Sequence, residues 1–153
     1  MSNANALSFA TTRQVRDTCL CLHLQRAARA VARRFDEALR PLGLTNGQFS
    51  LLMSLNRPEP PTIGSVAALL AVDRTTLTAS LKPLERRNLV EIRTDPADRR
   101  SRRLSLTPAG RELLAAALPR WQSEHGVVDQ LLAASDPDRL RAELRELSRP
   151  GLS

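Results

Sequence analysis

Between Thr12 and Arg40 the apolar residues Leu20, Leu24, Ala27, Val31, Phe35 and Leu39 recur at three- and four-residue steps, with Arg26, Arg29, Arg33 and Arg40 on other faces. That period predicts one long amphipathic helix. Pro41 and Gly43 end it, and Thr45 is a good N-cap for a second helix carrying Phe49, Leu52, Met53 and Leu55. The prolines of Asn56-Arg57-Pro58-Glu59-Pro60-Pro61 remove donors and hold the backbone extended, so a loop follows. Thr62 can cap a short helix over Ile63–Leu70, and Asp73 can cap another over residues 74–87, leaving only Ala71 and Val72 between them. Pro83 should bend that helix or restart its last turn, and Asn88 suits a left-handed residue beyond its end. Residues 89–93 and 103–106 read as short strands joined by a charged tip. Thr107 with Pro108 opens a long helix reaching toward Leu132, and Asp136 with Pro137 opens a last one over residues 138–147.

The opening MSNANALSFA is polar and aperiodic, so residues 1–11 are expected to be a disordered N-terminus. Residues 12–42 then form an N-terminal helical segment, 45–107 a central domain and 108–153 a C-terminal helical segment.

Two short helices across a tight turn, followed by a β-hairpin, are the order of a winged helix-turn-helix. The fold class is therefore mainly α with a small β-hairpin wing. Ala67, Ala71 and Leu77 hold the three positions that pack such a motif together. Its second helix would bury Leu77, Leu81 and Leu84 and expose Arg74, Thr75, Thr76, Thr78, Ala79 and Lys82. Short hydroxyl side chains beside an arginine suit base-edge and phosphate contacts in a major groove. An ordinary helical hairpin with a solvated face is the plainer alternative. In the hairpin tip, Arg99, Arg100, Arg102 and Arg103 could reach phosphates or a narrow minor groove. Asp95 and Asp98 stand among them, where carboxylates can hold arginines in a fixed pose. The plainer alternative there is a solvated turn with internal ion pairs.

Composition sharpens this picture. The 153 residues argue for one domain with appendages. With three Phe, one Trp and no Tyr, the core must be aliphatic, which favours helices. Lys82 is the only lysine among 23 basic residues, against 16 acids. Residues 13–40 carry seven arginines against three acids, residues 57–110 ten basic residues against six acids, and residues 111–153 six against seven. The surplus avoids the C-terminal helices and peaks between Arg86 and Arg103. An arginine-rich genome is the bland alternative to a nucleic-acid surface.

No apolar run approaches the ~20 residues a membrane span needs, and no signal-like segment opens the chain, so a cytoplasmic protein that does not engage a membrane is expected. Cys19, Cys21 and His23 form C-x-C-x-H, whose members point to opposite sides of a helix, so neither a metal site nor a cofactor is expected. Two isolated histidines and no phosphate-binding glycine loop argue against an enzyme.

Over about residues 20–120 the chain resembles the MarR-type winged helix-turn-helix transcriptional regulators. The resemblance rests on Leu42-Gly43-Leu44-Thr45, Val72-Asp73-Arg74-Thr75-Thr76-Leu77-Thr78, Leu84-Glu85-Arg86-Arg87-Asn88-Leu89-Val90, Asp95-Pro96-Ala97-Asp98-Arg99-Arg100 and Leu106-Thr107-Pro108-Ala109-Gly110. It departs at Asn88, where glycine is usual in the family. The resemblance implies a homodimer whose terminal helices interlock and whose winged domains read a palindromic operator in double-stranded DNA, as a repressor released by a small aromatic or phenolic effector. It also implies that Asp98 orients, and Arg100 inserts, a minor-groove contact. Leu113, Leu114, Ala117, Leu118, Leu131, Leu132, Leu140, Leu144 and Leu147 support the dimer independently, since they exceed what a small winged domain can cover.

Cys21 matches the reactive cysteine of the hydroperoxide-sensing branch, but Gln25 and Phe35 stand where that branch keeps tyrosines. A buried structural Cys21 is therefore expected, with a thiol sensor through Cys21 and Cys19 as the alternative. Trp121 is expected to anchor the dimer, and His125 to be a surface or interface residue. A winged protein-interaction module without DNA readout is the remaining rival.

Overall fold

In the computed structural model, which describes residues 7–151, the first periodic stretch is two helices rather than one. Helix α1, Phe9–Thr18, and helix α2, Leu20–Leu39, meet at Cys19, whose backbone is extended at φ −67° and ψ 104°. Thr18 turns its hydroxyl onto the Gln14 carbonyl at 2.7 Å, the local competition that weakens a helix. Cys19 Sγ then accepts the Leu22 N–H at 3.5 Å and starts α2 afresh. The expected disorder of residues 1–11 is corrected in part. Phe9 to Thr11 are helical, because the Ser8 side chain caps α1 by accepting the Thr11 N–H and the Arg13 guanidinium lies 5.5 Å over the Phe9 ring. Residues 1–6 lie outside the described residues.

The chain divides into two compact units, residues 1–34 and 35–153. In the second, a short 3₁₀ turn, Arg40–Leu42, leads to α3, Asn46–Ser54. Thr45 and Gln48 close a reciprocal capping box on α3. Helices α4, Ile63–Leu70, and α5, Arg74–Arg86, follow, then strands β1, Val90–Thr94, and β2, Arg102–Leu106, then α6, Pro108–Leu131, and α7, Pro137–Leu147. The strands pair antiparallel from Val90↔Leu106 to Thr94↔Arg102. This is a winged helix-turn-helix, with α4 and α5 as its two helices and the hairpin as its wing.

Ala71 and Asn88 both adopt the left-handed conformation, φ 53° and 55°, as their turn positions require. For Ala71 that backbone costs about 1–2 kcal/mol, which the surrounding packing must outweigh. Pro83 does not break α5, which continues to Arg86. The carbonyl it leaves without an N–H partner is that of Ala79, an exposed residue. The proline segment is a loop, as expected, and its end is tied to the wing. Leu104 N donates to the Pro61 carbonyl at 2.9 Å and Thr62 bridges Arg103, so its end lines the free edge of β2.

The core is aliphatic and comes mainly from α3, α4, α5 and the strands, with Leu52, Val66, Leu81, Leu84 and Leu104 fully buried. The expectation that the C-terminal leucines need a partner is corrected for the start of α6. Leu114 and Ala117 are buried in this same core, and Leu113 and Leu118 pack against it. Leu131, Leu140 and Leu147 stay exposed. Trp121 is likewise engaged within the chain, stacked against Phe35, Phe49 and His125, the last at 4.6 Å between centroids. No helix among the described residues is long and apolar enough to cross a membrane.

Candidate nucleic-acid interface

Asp73 starts α5 by accepting the Thr76 N–H at 2.7 Å and the Thr76 hydroxyl at 2.9 Å. These bonds hold the Asp73 carboxyl below the usual carboxylate range. They also commit the Thr76 hydrogen, so of the expected base-reading residues Thr76 serves the cap. Leu77, Leu81 and Leu84 are buried as expected. At 100° per residue, Thr75 and Lys82 fall on the opposite, exposed face with Thr78 at its flank, whereas Arg74, also exposed, falls within 20° of Leu81 at the N-terminal edge of the helix. Arg86 extends the same face by one turn, four residues beyond Lys82, and was missed in the sequence although that spacing could have found it. The Arg74 guanidinium lies across the first turn of α4, where a Cβ on Gly64 would come within 2.8 Å of it.

The four wing arginines separate into distinct roles. Arg103 Nε donates to Asp95 Oδ2 at 2.8 Å, and its Nη1 donates to the Pro60 carbonyl at 3.0 Å. Alternation along β2 turns it away from the face that buries Leu104, and it ties the start of the tip loop at Asp95 to the proline loop instead of projecting from the tip. Arg102 folds back, donating from Nη1 to the Arg99 and Ser101 carbonyls at 3.1 and 3.3 Å. Arg99 and Arg100 are exposed and pair with no described residue. Their backbone is fixed nonetheless. Asp98 Oδ1 accepts the Arg100 N–H at 2.9 Å, the Asp98 carbonyl accepts the Ser101 N–H, and the Ser101 carbonyl accepts the Asp95 N–H at 3.0 Å. The acids thus shape the tip mainly through its backbone, and only Asp95 holds an arginine side chain.

Asp95 is 6% exposed. The Ala97 N–H, and then the Arg103 guanidinium, hold its carboxyl below the usual carboxylate range against the opposing effect of burial. A carboxyl depressed on folding contributes stability that is complete above its ordinary value of about 3.9 and is lost as pH falls through the lower folded value. Acidification from about pH 6 to about pH 3 should therefore lower the thermal midpoint, and Asp95→Asn should shrink that drop. An identical drop in the variant would remove Asp95 from the account.

Behind α5 lies a groove of about 450 Å³ lined by Leu51, Leu70, Val72, Leu77 and Pro83, with Gln48, Ser50 and Ser80 as polar points. It sits against the inner side of the helix that presents Thr78 and Lys82. In the first unit Cys19 is half-buried and Cys21 exposed, so the expected buried role for Cys21 is corrected.

The family model described as MarR family matches residues 44–101. The transcriptional activatory protein BadR of Rhodopseudomonas palustris is 31% identical over 113 residues, which are 71% of this chain and 65% of that protein. The chain thus spans just under two thirds of the length of the first curated relatives it matches. Solved structures align over more of their length. The Mycobacterium tuberculosis transcriptional regulator MosR in complex with DNA is 39% identical, with a TM-score of 0.74 over 85% of this chain and 93% of that one. The transcriptional repressor CouR on a 23-mer DNA duplex is 30% identical, with a TM-score of 0.77 over 94% and 99%. CouR from Rhodococcus jostii has also been solved bound to p-coumaroyl-CoA, 27% identical with a TM-score of 0.74 over 90% and 96%.

Proposed function

The chain belongs to the MarR family, and from that premise we propose that it is a dimeric, sequence-specific DNA-binding regulator, a repressor released by a small effector. The observation that carries this reading is the pairing of two cationic surfaces. One is the exposed face Thr75, Thr78, Lys82 and Arg86, with Arg74 at its N-terminal edge, on a helix of major-groove dimensions. The other is a backbone-stiffened wing tip holding the free guanidiniums of Arg99 and Arg100. Each protomer would place α5 in a major groove and the wing in the flanking minor groove, and two protomers would meet a palindrome. Leu131 and Leu147, 69% and 51% exposed near the end of α6 and on α7, support the dimer.

For the effector, the groove behind α5 is of a size that holds a small aromatic molecule. A ligand wedged there would press on Leu77 and Ser80 and shift the helix that carries the reading face. The p-coumaroyl-CoA bound to CouR supports a phenolic acid or its thioester as the class. A second reading is favoured by Cys19, whose thiol starts α2 while Cys21 lies exposed two residues on. An organic hydroperoxide would oxidise one thiolate to a sulfenic acid and leave as the alcohol, loosening the first turn of α2.

One titration tests these readings: fluorescence anisotropy of a labelled duplex from the protein's own promoter region. Affinity should fall about 10³-fold or more between about 50 mM and about 200 mM salt, because a wing and a reading helix per protomer neutralise several phosphates. A flat salt response would point to the protein-interaction module instead. Release by p-coumaroyl-CoA or a phenolic acid supports the groove, and release by cumene hydroperoxide that Cys19→Ser abolishes supports the thiols.

A further inference from the structure

Docking through α5 and the wing leaves the basic face of α2 without a role. Some arginines of the chain are neutralised, as Arg141 is between Asp129 and Asp138, both at 2.9 Å, and as Arg103 is on Asp95, while Arg99 and Arg100 at the wing tip have the DNA-reading role proposed above. Arg26, Arg29 and Arg33 differ. All three are exposed, and none makes an ion pair or hydrogen bond with a described residue. From residue 18 to residue 35 the sequence contains no acid, and Asp36 and Glu37, within one turn of Arg33, make no ion pair with it.

Their three- and four-residue spacing puts them on one face of α2, spanning about 10 Å along its axis. Ala27 and Ala30 floor the space among them and His23 closes one end, leaving a shallow depression of about 530 Å³. The His23 ring nitrogen Nδ1 donates to the Cys19 carbonyl at 2.8 Å, which fixes the ring. Three guanidiniums held together without counter-charge repel one another, and the repulsion is relieved by an anion that each can grip with two parallel N–H groups. Phosphate matches that fork, and a span of about 10 Å accommodates more than one phosphate group.

We propose that this face of α2 binds a small ligand carrying two or more phosphate groups, such as the diphosphate portion of a nucleotide-bearing molecule. The site shares no residue with the DNA-reading surface and stands whether or not α5 and the wing bind a duplex. The alanine floor favours a compact anion settling among the three arginines over a duplex strand passing across them.

Calorimetric titration of the full-length protein with inorganic pyrophosphate at low salt tests the site. Changing Arg26, Arg29 and Arg33 together to Gln should weaken binding about tenfold or more, since three charge-assisted contacts are lost. The single change Arg29→Lys, which keeps the charge and loses the fork, should weaken it less, and Arg99→Ala with Arg100→Ala should leave it unchanged. Circular dichroism of each variant establishes that the helices persist. Absence of pyrophosphate binding by the unaltered protein overturns the proposal, as does equal binding by the triple Gln variant. Loss of pyrophosphate binding in the wing variant, or loss of duplex affinity alone in the triple variant, overturns it too, the latter assigning the stripe to DNA phosphates.

Discussion

Replacing Gly110 with alanine is expected to destabilise the winged domain by about 3 kcal/mol or more, a large part of the 5–15 kcal/mol that holds a typical domain together. A Cβ at that position would lie 2.0 Å from the Leu89 carbonyl oxygen and 3.0 Å from its carbon. Backbone is what it meets, so no side-chain rotation relieves the contact. The carbonyl cannot retreat either. It accepts the Thr107 N–H at 3.1 Å, while the Thr107 hydroxyl donates to the Asn88 carbonyl at 2.6 Å and accepts the Gly110 N–H at 3.0 Å. Together these bonds dock the first turn of α6 onto the entry to β1. To admit a methyl group, α6 must lift from the wing and uncover Leu106 and Leu114. Gly126 in the same helix has nothing within 4 Å, and there alanine should be neutral or stabilise by up to about 1 kcal/mol, because glycine is the weaker helix former. Urea unfolding followed by circular dichroism measures both. Equal midpoints for the two variants would show that α6 does not dock as described.

Much of the winged domain was legible in the sequence because its signals are local. Thr45, Thr62, Asp73 and Thr107 each accept the N–H three residues on, as a capping residue does, so helix starts could be read to within a residue. Asn88 marked its turn in the same way, whereas the left-handed backbone of Ala71 carries no signal in its residue type. What escaped depends on partners distant in sequence. Four wing arginines are identical in type, and only the pairing register and the Pro60 carbonyl decide that Arg103 is clamped while Arg100 is free. The break at Cys19 escaped because every apolar residue of the period, from Leu20 to Leu39, lies beyond it, so the period carries no information on whether the axis is continuous across Cys19. The uncovered leucines were overcounted for a related reason. A helix pattern shows that Leu114 and Ala117 need cover without showing that α3 already provides it.

The same sorting of the arginines sets the expected result at the DNA surface. Arg100→Ala should weaken binding to the duplex by about 1–3 kcal/mol, roughly 5- to 150-fold, and lower the salt dependence by about one phosphate equivalent where the contact is to backbone. Pre-organisation of the wing tip sets the size of this effect. An exposed arginine normally loses side-chain and backbone freedom on binding, but here Asp98 Oδ1, the Asp98 carbonyl and the Asp95–Ser101 bond have already fixed the backbone that carries it. Its guanidinium meanwhile has no partner to give up among the described residues. Asp98→Ala removes the anchor without touching the guanidinium and should cost less than Arg100→Ala, whereas Asp98→Asn keeps an acceptor for the Arg100 N–H and should bind nearly as the unaltered protein does. Arg103→Ala should act differently, lowering affinity together with the thermal midpoint, because it leaves Asp95 buried beside an unfilled clamp. Arg145→Ala, an exposed change on α7, should alter neither quantity. Affinity that Arg100→Ala leaves intact while Arg103→Ala reduces it would mean that the wing supports α5 structurally and does not itself touch DNA.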